Sequence, residues 1–148
     1  MDRKVYYASF LMLVGIFVID QNIKSFFLSG YLNYGECISL VFALNKGVAF
    51  SMFEFLGEWL KWLQLAILAI ISWNIVKMGQ KFLLPLAMVV GAGLSNIYDR
   101  FIHGGVVDYV YWHCGFEFAI FNFADVMIDI GVVLLLILSF RKDKANNN

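Results

Sequence analysis

Four stretches of this chain, at residues 5–27, 56–76, 82–98 and 118–140, are apolar over nearly the whole length of a membrane-crossing helix. A helix needs about 20 such residues to cross a hydrocarbon layer. In lipid every backbone N–H and C=O must find its partner within the protein, which leaves helices or closed barrels as the spanning forms. Segments this long and continuous select helices. With 61% hydrophobic and 15% charged residues in 148, the chain is too apolar for a soluble domain of that size. The first stretch runs on into Asp20 and Lys24 without a small-x-small cleavage site, so it reads as a span and not as a leader peptide. The expectation is an α-helical membrane protein: one membrane-embedded domain, 1–148, with four transmembrane helices.

Basic residues set the orientation. Arg3 and Lys4 precede the first span, Lys77 and Lys81 lie between the second and third, and Arg141, Lys142 and Lys144 follow the fourth. All fall on one side of a four-pass arrangement, so both termini and the short turn are expected in the cytoplasm. The formal net charge is zero, which gives no electrostatic case for nucleic acid.

Two larger connections lie on the outer side, 21–55 and 99–117. Within the first, Gly30, Asn33, Gly35, Asn45 and Gly47 break helix, and residues 38–42 are partly β-branched and aromatic. Residues 29–55 are therefore expected to form a small strand-containing outer element, with a short outer helix or loop besides. Phe50 and Phe53 are read as interfacial anchors, as are Trp59, Trp62 and Lys61 at the start of the second span. Cys37 and Cys114 fall in the two outer connections; in an oxidising compartment they can pair, and the sequence leaves pairing and free thiols both open. Neither has the histidine neighbours of a zinc site.

The polar residues are concentrated. Asp20 and Lys24 are i and i+4 neighbours near the outer end of the first span, placed either for a surface pair or for a role in the site. Gly91, Ala92, Gly93 and Ser95 allow a neighbouring helix to approach closely. Asn96, Asp99 and Arg100 follow at helical spacing, then the Gly104-Gly105 break, then Asp108 in an apolar run. Asn122 and Asp125 open the fourth span, with Asp129 one turn deeper. A helix beginning near Phe118 would carry Asp125 about 10 Å inside its end. Single residues of this kind serve as helix caps; three acids, an arginine and two asparagines between apolar spans point to a functional site. His103 and His113 are read as bystanders.

These residues resemble the lipoprotein signal peptidase family, signal peptidase II of bacteria. The likeness rests on Asp20-Gln21 with Lys24, Asn45-x-Gly47-x-Ala49-Phe50, Asn96-x-x-Asp99-Arg100, Gly105-Val106-Val107-Asp108 and Phe121-Asn122-x-Ala124-Asp125, in order along nearly the whole chain. The run Gly91-Ala92-Gly93-Leu94-Ser95-Asn96 departs from the family's usual Gly-Gly-x-x-Gly-Asn by small residues only. Val48 stands where alanine is more usual, and Asp129 is an acid where an apolar residue is usual in the family. The resemblance implies an intramembrane aspartic endopeptidase with Asp108 and Asp125 as the catalytic pair. It also implies that Asp20, Lys24, Asn45, Asn96, Arg100 and Asn122 line the site or hold substrate, with Asp99 nearer to structural support.

The substrate it implies is a prolipoprotein whose cysteine carries a diacylglyceryl group, cut just before that cysteine. The expected setting is the bacterial cytoplasmic (inner) membrane with the active site near the outer face, and the expected partners are that substrate and membrane lipids. A monomer without metal or cofactor is expected. The chemistry suits two close carboxylates, which share one proton so that one activates water while the other polarises the carbonyl. The alternative is a small proton- or ion-coupled transporter, which would distribute acids along a path between both faces.

Overall fold

The computed structural model describes residues 2–47 and 52–146. Its elements are α1 (Arg3–Leu28), β1 (Ile38–Asn45), α2 (Trp59–Val76), α3 (Leu83–Ile102), β2 (Val106–Trp112) and α4 (Phe123–Asn146). Short 3-10 turns at Glu54–Leu56 and Gln80–Phe82 lead into α2 and α3. Among the described residues four helices are long and apolar enough to cross a membrane, as their hydropathy required. The expectations for Ala49 and Phe50 fall outside the described residues.

α3 is the central post, packed against α1, α4 and α2. Its small-residue stripe explains why: a Cβ on Gly91 would lie 2.5 Å from the Leu13 carbonyl oxygen of α1, so only glycine lets those two backbones meet. Ile16 of α1, Ala92 of α3 and Ala124 of α4 form a buried core where the three helices converge. α2 is peripheral, with Leu60 its one buried residue, and Ile67, Ile70 and Trp73 are exposed. That is the surface a helix presents when its solvent is lipid.

β1 and β2 pair antiparallel, from Ile38 opposite Trp112 to Asn45 opposite Val106, with an irregularity between Leu40 and Ala43. The expected strand at 38–42 is present and runs on to Asn45. Its partner β2 follows a turn in which Gly104 has φ +73°, a conformation that favours glycine. Cys37 and Cys114 are joined in a disulfide at the far end of this ribbon, which closes the question the sequence left open.

Boundaries differ from expectation in the last three spans, the third running on to Ile102 and the fourth to Asn146 where 98 and 140 were expected. The second span begins at Trp59, not residue 56, because Glu54–Leu56 forms a separate 3-10 turn. The fourth begins at Phe123, not Phe118, because Phe121 is drawn into a bridge with Val110 of β2. Asp125 therefore sits in the first turn of α4 and not about 10 Å inside it. The interfacial readings at the start of α2 have counterparts: Trp59 and Trp62 are exposed, and Lys61 pairs with Glu58 and lies over the Phe101 ring.

Candidate active site

A helix that starts at Phe123 has backbone N–H groups without intrahelical acceptors, and each must be met from outside. Here three different elements meet them. Phe123 N–H donates to the Tyr109 hydroxyl of β2 at 2.9 Å, and Ala124 N–H donates to Asp20 Oδ1 of α1 at 2.9 Å. Asp125 N–H donates to Asn122 Oδ1 at 2.9 Å, while Asn122 N–H donates back to Asp125 Oδ2 at 3.0 Å. That reciprocal pair is a capping box in which asparagine and aspartate take the usual cap and third-position roles. The first turn of α4, and with it the Asp125 carboxylate, is fixed from α1, from β2 and from its own cap.

Asp108 comes from β2, opposite Ala43 of β1, and is 2% exposed. Asn122 Nδ2 donates to its Oδ1 at 2.6 Å, and Asn45 Nδ2 donates to its Oδ2 at 3.1 Å. Asp125 Oδ1 receives Asn96 Nδ2 at 2.9 Å. Asn122 thus touches both carboxylates, through its side chain to Asp108 and its backbone to Asp125. Burial, and next the neighbouring Asp125 carboxylate, push the Asp108 carboxyl up to about 7, although the amides of Asn45 and Asn122 pull the other way. Two acids that oppose each other's ionisation are the electrostatic condition for sharing a proton.

Behind the pair lies a buried polar network. Lys24 Nζ lies 2.6 Å from Asp20 Oδ2 and 2.8 Å from Asp99 Oδ2, and it donates to Asn96 Oδ1 at 2.7 Å. The three charged side chains are at most 1% exposed, so the surface-pair alternative for Asp20 and Lys24 is not what forms. Asp99 faces α1 and not the cavity: it accepts from Gln21 Nε2 at 2.7 Å and from the Val107 N–H at 3.1 Å. Ser95 Oγ, the small residue of the stripe, donates to Asp20 Oδ2 at 2.7 Å. One lysine balances two carboxylates, and the same lysine orients the asparagine that holds Asp125.

Arg100 turns the other way, toward the end of β1. Its guanidinium donates to the carbonyls of Asn45 at 3.4 Å and Lys46 at 3.3 Å, and also to that of Gly47; its Nε has no partner among the described residues. The planar fork therefore pins the turn that carries Asn45, a use of arginine that a point charge does not reproduce.

A cavity of about 460 Å³ opens over the pair. Asn45, Asn96, Arg100, Asp108 and Asp125 line it, with apolar walls that include Phe118, Phe121, Val126 and Ile128. Of the residues expected at the site, these five face the cavity, Asn122 lies directly beneath both acids, and Asp20, Lys24 and Asp99 form the supporting layer. Sequence reasoning missed three supporting residues: Tyr109, Gln21 and Ser95. Tyr109 gave no pattern, since an aromatic in a strand reads as packing, and its ring does stack on Phe27 at 4.3 Å. Asp129, one turn deeper than Asp125, lines the cavity and has no partner among the described residues. His113 bonds to Ser39 at 2.9 Å, away from the site.

The sequence pattern of the family described as Signal peptidase (SPase) II matches residues 12–141. The chain is 54% identical over 139 residues to a protein called lipoprotein signal peptidase from Sulfurimonas denitrificans, covering 93% of this chain and 91% of that one. A protein of the same name from Wolinella succinogenes is 53% identical over 145 residues, covering 96% and 99%. Among solved structures, one described as a bacterial membrane enzyme determined by the in meso method superposes with a TM-score of 0.75 at 25% identity. The match covers 95% of this chain and 91% of that chain. A second structure of that description matches with a TM-score of 0.69 at 23% identity and shares the fold.

Proposed function

The chain belongs to the signal peptidase II family of membrane proteases, and from that premise we propose that it is an aspartic endopeptidase with Asp108 and Asp125 as its catalytic pair. The observation that carries the reading is the clamp on the two carboxylates: Asn122 bonds to both, and Asn45 and Asn96 fix the outer oxygens at 3.1 and 2.9 Å. Side chains held this way need no reorganisation when charge moves in the reaction.

The pair retains one proton. Asp108, whose carboxyl is raised to about 7 by burial and by Asp125, donates a hydrogen bond to the scissile carbonyl oxygen. Asp125 takes a proton from a water molecule, whose oxygen attacks the carbonyl carbon. Collapse of the tetrahedral intermediate breaks the C–N bond as the leaving nitrogen takes up a proton from the pair, which returns with one proton. Apolar walls from Phe118, Phe121, Val126 and Ile128 keep the surroundings of low polarity, where such hydrogen bonds act most strongly.

The substrate is a prolipoprotein bearing diacylglyceryl on its cysteine, cut just before that residue; no cofactor takes part, and the enzyme acts as a monomer. Both termini lie in the cytoplasm, the membrane is the bacterial inner membrane, and the site is near its outer face. The basic flanks at Arg3, Lys4, Lys77, Lys81 and Arg141 support that orientation. At the bilayer edge, acyl chains on the substrate set the depth at which its peptide bond meets the acids. Purified protein in detergent should therefore cleave a diacylglyceryl-modified precursor and leave the unmodified one essentially intact. Equal cleavage of both would contradict the lipid requirement.

A further inference from the structure

The cavity holds two kinds of polar group. Asn45, Asn96, Arg100, Asp108 and Asp125 are engaged with one another or with the backbone. Gln64 of α2 and Asp129 of α4 are not: Gln64 Oε1 is buried without a partner among the described residues, and the Asp129 carboxyl, which is exposed to the cavity, has no partner among them either. A buried acceptor left unpaired and a carboxyl within a membrane span both carry a cost that a structural role does not offset. Both lie a short way inside the N-terminal ends of their helices. Gln64 is five residues past the start of α2 and Asp129 six past the start of α4, about 7.5 Å and about 9 Å from those helix ends. Both line one cavity, with Asp129 about one helical turn further along α4 than Asp125.

Whatever enters the cleft below the acids is either acyl chain or the part of the signal peptide that precedes the cut. Acyl chains carry no hydrogen-bond donor. The peptide does, because hydrolysis needs an opened backbone around the scissile bond, and each opened N–H in this apolar-walled cleft has lost its helical carbonyl. We propose that Gln64 and Asp129 form a subsite that accepts hydrogen bonds from the unwound signal-peptide backbone on the amino side of the cut. This rests on the peptidase reading above. The four residues of helix from Asp125 to Asp129, about 6 Å, match about two residues of extended chain at ~3.3 Å each, so the amides served are the second or third before the cleaved bond. A carboxyl accepts through its carbonyl oxygen in either protonation state, and an asparagine amide does so too, whereas leucine does not.

The test uses a synthetic diacylglyceryl-modified precursor in which single backbone amides on the amino side of the cut are replaced by esters, and the full-length enzyme in detergent. With wild type, the ester at the second or third position should raise KM about tenfold at nearly constant kcat, as loss of a hydrogen bond made equally in ground and transition states requires. Asp129→Leu and Gln64→Leu should each raise KM similarly for the all-amide substrate, Asp129→Asn should recover most of the affinity that Asp129→Leu loses, and ester and leucine effects should not add. Wild-type KM in both leucine variants, or an ester penalty undiminished in them, overturns the subsite while leaving the peptidase intact. Failure of wild type to cut the all-amide lipidated precursor would instead overturn the peptidase reading, and this proposal with it.

Discussion

Replacing Lys24 by Met keeps side-chain length and apolar volume while removing one charge from the centre of the protein. The Lys24 ammonium uses all of its donors, at 2.6 Å to Asp20, 2.8 Å to Asp99 and 2.7 Å to Asn96. Asp20 and Asp99 are each 0% exposed, so in Lys24→Met two carboxylates remain buried without their cation. Breaking a buried ion pair from one side costs about 3–5 kcal/mol. The loss reaches the site by two routes, since Asp20 also caps Ala124 at the start of α4 and Asn96 also holds Asp125. Resistance to denaturation in detergent and turnover of lipidated precursor should therefore both fall sharply. Adding Asp99→Asn removes one of the stranded charges, so the double variant should recover part of the stability, with a coupling of about 1–3 kcal/mol. Wild-type stability in Lys24→Met, or strictly additive effects in the double variant, would refute the idea that this lysine neutralises the layer beneath the acids.

Arg100→Lys retains the charge but cannot hold the carbonyls of residues 45–47 with one planar fork, so precursor cleavage should slow by about tenfold or more; wild-type rates would show that charge alone suffices. Because Asp108 is raised to about 7, it carries its proton below that pH and loses it above, so kcat should fall as pH rises through about 7; a rate unchanged from about pH 6 to about pH 9 would contradict the proposed role of Asp108 as proton donor. Tyr109→Phe keeps the stack on Phe27 and strands the Phe123 N–H, a loss of about 1–3 kcal/mol. Its kcat should fall with little change in KM, and an unchanged kcat would mean that the cap and carboxylate of α4 hold their position without the hydroxyl.

The spans were legible because hydropathy over about 20 residues has few other outcomes. The run from Gly91 to Ser95 was legible for a similar reason: small residues at helical spacing imply close backbone approach, and α1 does approach there. Less was legible where tertiary contacts decide. The start of α4 moved to Phe123 because residue 121 bridges to β2, a pairing between segments that no local propensity announces. An Asp-x-x-x-Lys spacing is the same on a lipid-facing or an inward-facing stripe; only the packing of α1 on α3 buries Asp20 and Lys24 and turns Asp99 away from the cavity. Tyr109 and Gln21 act through one hydroxyl and one amide, whose partners lie 14 and 78 residues away in sequence.

The most direct test of the central claim is turnover of a diacylglyceryl-modified precursor by wild type, Asp108→Asn and Asp125→Asn, each first shown to be folded in detergent. Asparagine fills nearly the same space and keeps one acceptor oxygen, so one of the two hydrogen bonds on each side chain is preserved, while its NH2 meets a donor and the ionisable carboxyl is lost. Both variants should bind the precursor and fail to cleave it. Near-normal turnover by either one would contradict the aspartic mechanism.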